Sequence, residues 1–225
     1  MNETKFTFKK KRIREYFSTF KLKSKEQSAD IEQIQEKIFQ EGMIYVQMRL
    51  PVKKITLEFE NSLKKRIEHK IIHAKIREAT SEDLDSIMTI YNRSWLTSNT
   101  PFRPITVDSL QKIWEYPDTV FLIAKVYGTD GGFVILDFEG ENKEYGIIAG
   151  LGVLPRYQRK GLGTILGVAT WNYFKSKGVK ELRCEVYKDN IVSKSFIKWI
   201  GFEEYGFESY RNEDFLIEEE EIEEI

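Results

Sequence analysis

Residues 150–167 read GLGVLPRYQRKGLGTILG. An apolar run ends at Val153, and Pro155 stops strand pairing. The loop RYQRK then delivers Gly161, Leu162 and Gly163 to the start of an apolar, helix-like stretch. A helix starting there presents unsatisfied backbone N–H groups and its positive dipole end to whatever lies above. Glycines let an anion approach the backbone closely, and Arg159 and Lys160 add charge. The chemistry such a stretch suits is holding a phosphate or pyrophosphate.

Three other readings of the stretch are weaker. GLGTILG can be scanned as a dinucleotide fingerprint, but there the strand runs straight into the first glycine. Here residues 154–160 intervene, and the preceding strands read as an antiparallel meander. A Walker-type loop needs Gly-Lys-Ser/Thr, which is missing. A bare strand-to-helix turn leaves the basic QRK unexplained.

The pattern Val153-x-Pro155 … Gln158-Arg159-Lys160-Gly161-Leu162-Gly163 resembles the signature of the GNAT N-acetyltransferase superfamily. A second segment, Glu185-Val186 … Asn190-x-x-Ser193 … Gly201-Phe202, resembles that family's Asn-x-x-Ala … Gly-Phe segment at matching spacing. The resemblance covers about 74–217. It implies an α/β (α+β) acyl-CoA N-acyltransferase fold: a central mixed, mostly antiparallel sheet flanked by helices. It also implies acetyl-CoA as co-substrate and an amine-bearing acceptor, small molecule or protein, that attacks the thioester directly.

By the same resemblance, Leu151, Gly152 and Val153 align the thioester, the backbone of Arg159, Lys160, Gly161, Leu162, Gly163 and Thr164 holds the pyrophosphate, and Gln158 of the motif belongs to the cofactor site. Asn190 and Ser193 lie near the pantetheine arm. Proton transfer matches less well. Many family members carry a tyrosine seven residues after the motif asparagine; this chain has Ile197. A strand glutamate used elsewhere in the family falls at Tyr145 or Ile147. Glu185 and Tyr145 are therefore the catalytic candidates, against an ion pair and a packed aromatic as their plain structural roles. Tyr205 or Tyr210 could also reach in from the last strands. The alternative function is a non-catalytic acyl-CoA-binding or interaction module.

The elements that must position these residues follow from periodicity and turn chemistry. AKIREAT is a strand, and Ser81 with Glu82, Asp83 and Asp85 opens a helix to about Trp95. VDSLQKIWEY is a second helix. TVFLIAKVY, GFVILDF and EYGIIAGLGVL form a meander, with turns expected at Gly131-Gly132 and EGENK. Residues 161–177 form a helix, KELRCEVY a strand, NIVSKSFIKWIG a helix, and FEEYGFESYR and DFLIEEE a closing pair of strands. Tyr91, Trp95, Phe102, Tyr205 and Tyr210 give the acceptor side aromatic character, unless they only pack the core.

The division expected is 1–73 as a basic α/β extension, 74–217 as the acetyltransferase domain and 218–225 as an acidic tail. Residues 1–75 carry 18 Lys/Arg against 10 Asp/Glu, and the remainder 17 against 26. In the extension, Ile13, Phe17 and Phe20 fit a basic amphipathic helix, and Ile31, Ile34 and Ile38 a second one closed by Gly42. KITLEFE (54–60) alternates as a strand, and Leu63, Ile67 and Ile71 mark a short helix. Basic residues interleaved with aromatics suit RNA, an anionic membrane surface or an acidic partner; docking on an acidic domain of the same or a second subunit, as in a homodimer, is the plainer reading. The single cysteine, Cys184, and two histidines make a poor metal set, so no metal is expected. With no signal-like segment and no 18-residue apolar run, a cytoplasmic protein is expected.

Overall fold

The computed structural model describes residues 42–67, 73–96 and 104–210. The amphipathic helices expected before Gly42, the DFLIEEE strand, the acidic tail and Phe102 lie outside the described residues.

One sheet organises the described chain. Its strands are β1 (Met43–Pro51), β2 (Ala74–Glu78), β3 (Val120–Val126), β4 (Thr129–Glu139), β5 (Tyr145–Val153), β6 (Glu181–Tyr187) and β7 (Glu203–Tyr210). They stand in the order β2-β3-β4-β5-β6-β1-β7. Every neighbouring pair is antiparallel except β5 with β6. The helices are α1 (Leu57–Ile67), α2 (Leu84–Trp95), α3 (Val107–Trp114), α4 (Leu162–Ser176) and α5 (Ile191–Trp199). This is the mixed α/β sheet flanked by helices that the motifs imply.

The meander forms because β3, β4 and β5 are joined by short turns and bury nearly every side chain of β4. Its first turn is not where the glycine pair suggests. Tyr127 (φ 48°) and Gly128 (φ 81°) both take left-handed backbone, the geometry of a tight two-residue hairpin. Gly131 and Gly132 instead lie inside β4. A Cβ there would stand 2.8 Å from Tyr157 and 2.9 Å from Leu166, so these glycines serve close packing.

The main departure from the sequence expectation is at the N-terminal side. MIYVQMRLP, given no role above, is β1, and it pairs with both β6 and β7. Val46, Met48 and Leu50 point into the core while Gln47 and Arg49 face the other way. The sheet thus draws on both sides of the expected division at 73/74. KITLEFE is not a strand: after a 3-10 turn at Val52–Lys54 the chain enters α1, where the Thr56 hydroxyl accepts from the Phe59 N–H (3.2 Å). Phe59 and Leu63, four residues apart, pack inward, whereas Leu57 is 73% exposed. The period-2 pattern of Ile55, Leu57 and Phe59 was accidental, and the i, i+4 pair decided the element.

Two apolar layers flank the sheet. One joins α1, α4 and the region around α5 to Val46, Met48, Leu50, Val134, Leu136 and Leu182. The other packs α2 and α3 against Phe121, Ile123, Phe133 and Ile135. Arg77 on β2 ties the second layer to the sheet: its two terminal nitrogens each donate to Asp83, at 2.7 Å, just ahead of α2. That ion pair fixes the helix whose far end carries Ser94 and Trp95. Among the described residues no helix is long and apolar enough to cross a membrane.

Candidate functional site

The site begins with a failure of pairing. β5 and β6 are hydrogen-bonded only from Tyr145–Ile148 to Glu181–Cys184, although both strands run on. On its other side β5 slips register, with Ile135 opposite Gly150 and Leu136 opposite Ile148, so Ala149 is the extra residue of a bulge. A bulge turns backbone N–H groups out of the ladder. The cleft opens where these two irregularities meet.

A cavity of about 410 Å³ occupies this opening. Leu151, Gly152 and Val153 form one wall, and Gln158, Arg159, Gly161, Gly163 and Thr164 another. Asn190 and Ser193 close it from the start of α5, while Ser94, Trp95, Val192 and Phe196 complete the lining. The residues expected from the two motifs are thereby brought together, with two exceptions. Leu162 is fully buried in the core and Lys160 is exposed; neither lines the cavity.

Local chemistry explains the shape. Arg159 (φ 57°) and Gly161 (φ 88°) adopt left-handed backbone and turn the chain into α4. The first helical bond back into the loop is Ile165 N–H to the Gly161 carbonyl (3.0 Å), so the N–H groups ahead of it have no carbonyl of their own helix. The first turn of α4 has no acidic residue to compete for them. Gln158 turns back, its Nε2 donating to the Val153 carbonyl at 3.0 Å, so it pins the loop to the strand end. Asn190 Oδ1 accepts from Ser193 N–H (3.0 Å) and caps α5. Gly152 is required by packing, since a Cβ there would lie 2.5 Å from Phe133 and 2.8 Å from Ser94 Oγ.

Two further cavities continue the cleft. One of about 140 Å³ shares Trp95, Leu151, Asn190, Ser193 and Phe196 with the first, and adds Tyr45, Glu185 and Ile197. The other, of about 280 Å³, lies beyond Ala149 and is lined by Gln47, Asp137, Glu139, Ile147, Arg183, Cys184, Glu185 and Tyr205. Glu185 stands on the wall of both. Ile197 does reach the middle cavity, with an aliphatic side chain that can neither give nor take a proton.

The other catalytic candidate lies elsewhere. Tyr145, at the start of β5, lines none of these cavities; its ring lies beneath the Arg183 guanidinium, 3.5 Å from carbon to centroid. Arg183 Nε also donates to Glu181 at 2.8 Å. Among the aromatic candidates, Tyr91 is buried and stacked on Trp95 (4.4 Å between centroids), Tyr205 lines the far cavity, and Tyr210 is buried. Sequence reasoning missed Ser94, Asp137, Glu139 and the β1 residues Tyr45 and Gln47. No motif marks them: strand pairing brings Asp137, Glu139, Tyr45 and Gln47 to the cleft, and the packing of α2 on the sheet brings Ser94. Among the described residues no three His, Cys, Asp or Glu side chains are grouped to hold a metal.

A mixed sheet split between two parallel strands, with a glycine-rich helix start at the split, is an arrangement whose backbone can hold a phosphate-bearing ligand. Residues 84–202, just over half of the chain, match the Acetyltransferase (GNAT) family, and the chain belongs to that family. Among solved structures it is similar to the PaiA N-acetyltransferase of Thermoplasma acidophilum in complex with coenzyme A: 22% identity over 62% of this chain and 100% of that one, TM-score 0.53. It is also similar to the ribosomal-protein-S18-alanine N-acetyltransferase of Escherichia coli: 20% identity over 60% of this chain and 80% of that one, TM-score 0.51. At these identities the likeness concerns the fold. No curated protein sequence matches the chain.

Proposed function

We propose that this protein is an acetyl-CoA-dependent N-acetyltransferase that transfers acetyl from the coenzyme A thioester to an amine by direct attack. The observation that carries the reading is the meeting of both motifs on one cavity, at the point where β5 leaves β6. The cavity fits the group. It has bare first-turn N–H groups, a left-handed Gly161 that admits close approach, and a run of volume from the basic loop to Glu185. Coenzyme A, when bound, supplies the activated acetyl group and a tolerable thiolate leaving group.

The chain's own residues do the rest. Backbone N–H groups of Arg159–Thr164 hold the pyrophosphate, with the Arg159 side chain adding charge. Leu151, Gly152 and Val153 align the arm, and Asn190 and Ser193 flank it. The bulge at Ala149 turns backbone N–H groups toward where charge develops on the acyl oxygen. Glu185 accepts the proton that the attacking amine must lose. Asp137 and Glu139 line the far cavity with Glu185, which suits an acceptor that arrives as an ammonium ion. A small amine and an amine on a protein both fit this chemistry.

Calorimetric titration with acetyl-CoA tests the reading, with wild type expected to bind and Gly161→Glu to lose binding. Undetectable binding to wild type sinks it. A second reading, a non-catalytic acyl-CoA-binding module, is favoured by Ile197 on the wall of the middle cavity. Thiol release from acetyl-CoA with a panel of amines separates the two: turnover dependent on amine removes the module.

A further inference from the structure

We infer that Tyr210, held across the N-terminal strand β1, is the positioning residue for Glu185; the inference rests on Glu185 acting as the proton acceptor. Tyr210 Oη donates to Glu185 Oε2 at 2.9 Å. The two residues lie on strands that are not neighbours, since β1 runs between β6 and β7. The bond therefore exists only because β1 occupies that place and sets the spacing.

β1 also fixes the tyrosine. Tyr45, on β1, pairs with Tyr187 on β6, and its ring stands edge-on to Tyr187 (5.9 Å) and to Tyr210 (5.6 Å). Tyr45 and Tyr210 are each 4% exposed. Two residues along β1, Gln47 lies opposite Glu185, lines the far cavity beside it, and donates to Glu208 of β7 at 3.0 Å. The ring contacts set where the Tyr210 hydroxyl sits, and the Gln47 bond holds β7 in register. A side chain locked by packing fixes the geometry of the group it bonds. Glu185 thus has one oxygen held while the same side chain faces both the acyl and the acceptor cavities.

A phenol donating to a carboxylate favours its charged form. Removing the hydroxyl while keeping the ring, in Tyr210→Phe, leaves the aromatic contacts with Tyr45 in place. The carboxylate then binds its proton about tenfold more tightly, the lower end of what a hydrogen bond to a charged group contributes. The charged groups sharing the cavity with Glu185, namely Asp137 and Glu139 on β4 and Arg183 on β6, are the same in both proteins. So are the titratable Cys184, Tyr45, Tyr187 and Tyr205.

The test uses full-length protein with carboxyl-carbon-labelled glutamate, followed by NMR through a pH titration. The Glu185 resonance is assigned as the one lost in Glu185→Gln. Its midpoint is expected about one pH unit higher in Tyr210→Phe than in wild type; an unmoved midpoint overturns the inference. Thiol release from acetyl-CoA with spermidine, n-butylamine and an alanyl peptide as probes supplies the second readout. With the probe that wild type turns over fastest, Tyr210→Phe is expected to lower kcat about tenfold with KM for acetyl-CoA unchanged. In the Glu185→Gln background the same change is expected to cost nothing further. If Glu185→Gln loses activity but Tyr210→Phe does not, the positioning role fails and the base stands. If Glu185→Gln matches wild type, the base fails and the positioning role fails with it.

Discussion

Arg183 covers Tyr145: the guanidinium carbon sits 3.5 Å from the ring centroid, and the ring lines none of the cavities that make up the cleft. A cation over an aromatic face contributes about 0.5–2 kcal/mol, depending on exposure. The contact uses the face of the ring and not its hydroxyl. Tyr145→Phe is accordingly expected to keep thiol-release activity within about twofold of wild type, whereas Tyr145→Ala lowers the unfolding midpoint in a thermal melt. A loss of a hundredfold or more in Tyr145→Phe, in the range of a lost general acid, assigns a chemical role to the hydroxyl.

Gly152 is closed in by Phe133 and Ser94. Gly152→Ala must move one of them, and overpacking of this kind costs about 1–3 kcal/mol. Phe133 lies behind the wall that Leu151, Gly152 and Val153 present and Ser94 lines the same cavity, so the displacement also deforms the cavity. Urea unfolding and acetyl-CoA titration on the same variant are expected to show both losses. Wild-type values for both contradict the packing account.

Asp83 carries a pH dependence of known sign. The Arg77 side chain, hydrogen-bonded to its carboxylate, holds its pKa down to about 2, aided by the Thr80 N–H and opposed by burial. A carboxyl depressed in the folded state stabilises the protein above its unfolded value. That contribution is lost as pH falls from about 4 through about 2. Arg77 is 40% exposed, so solvent screens the pair and the contribution is on the order of 1–2 kcal/mol. Asp83→Asn is expected to lower stability by that amount at pH 7, with the difference from wild type closing below about pH 3. Denaturant melts at several pH values check it; a difference that persists in acid points to packing instead.

Asn190 joins a structural task to a position on the cavity of about 410 Å³. Losing an N-cap costs about 1 kcal/mol. Asn190→Asp keeps an acceptor for Ser193 N–H and is expected to retain stability, while Asn190→Ala loses it. If both variants bind acetyl-CoA equally badly, the amide contributes to the ligand and not only to the helix.

β1 makes residues 43–51 a structural part of the sheet. Met48 is fully buried, and truncating such a residue to alanine costs about 2–5 kcal/mol. A chain lacking residues 1–53 exposes the pairing edges of β6 and β7 and is expected to be insoluble or to unfold without cooperativity. A stable, cooperatively folded truncation, measured by circular dichroism, instead places the domain boundary near residue 73.

The sequence by itself determined the basic glycine-rich loop ahead of α4, the cap of α5 and the strands of the meander. Each is local: Pro155, Gly161 and the basic loop act within a dozen residues, as do Asn190 with Ser193 and the short hairpins of β3–β5. Their backbone geometry is dictated by residue types next to one another. Only the tertiary structure decided that β1 enters the sheet, that the helix marked by Leu63 and Ile67 begins as early as Leu57, and that Glu185 meets Tyr210. Alternation in residues 43–51 says that a strand has two faces, but not which strand 130 or more residues away completes its ladder. At 54–60 the same alternation misled, because helix and strand compete on burial, and the core took Phe59 and Leu63 while leaving Leu57 in solvent. The part of the cleft built from the basic loop and the starts of α4 and α5 was therefore legible from short range. The part around Glu185 was not, because it is assembled from strands that only folding brings side by side.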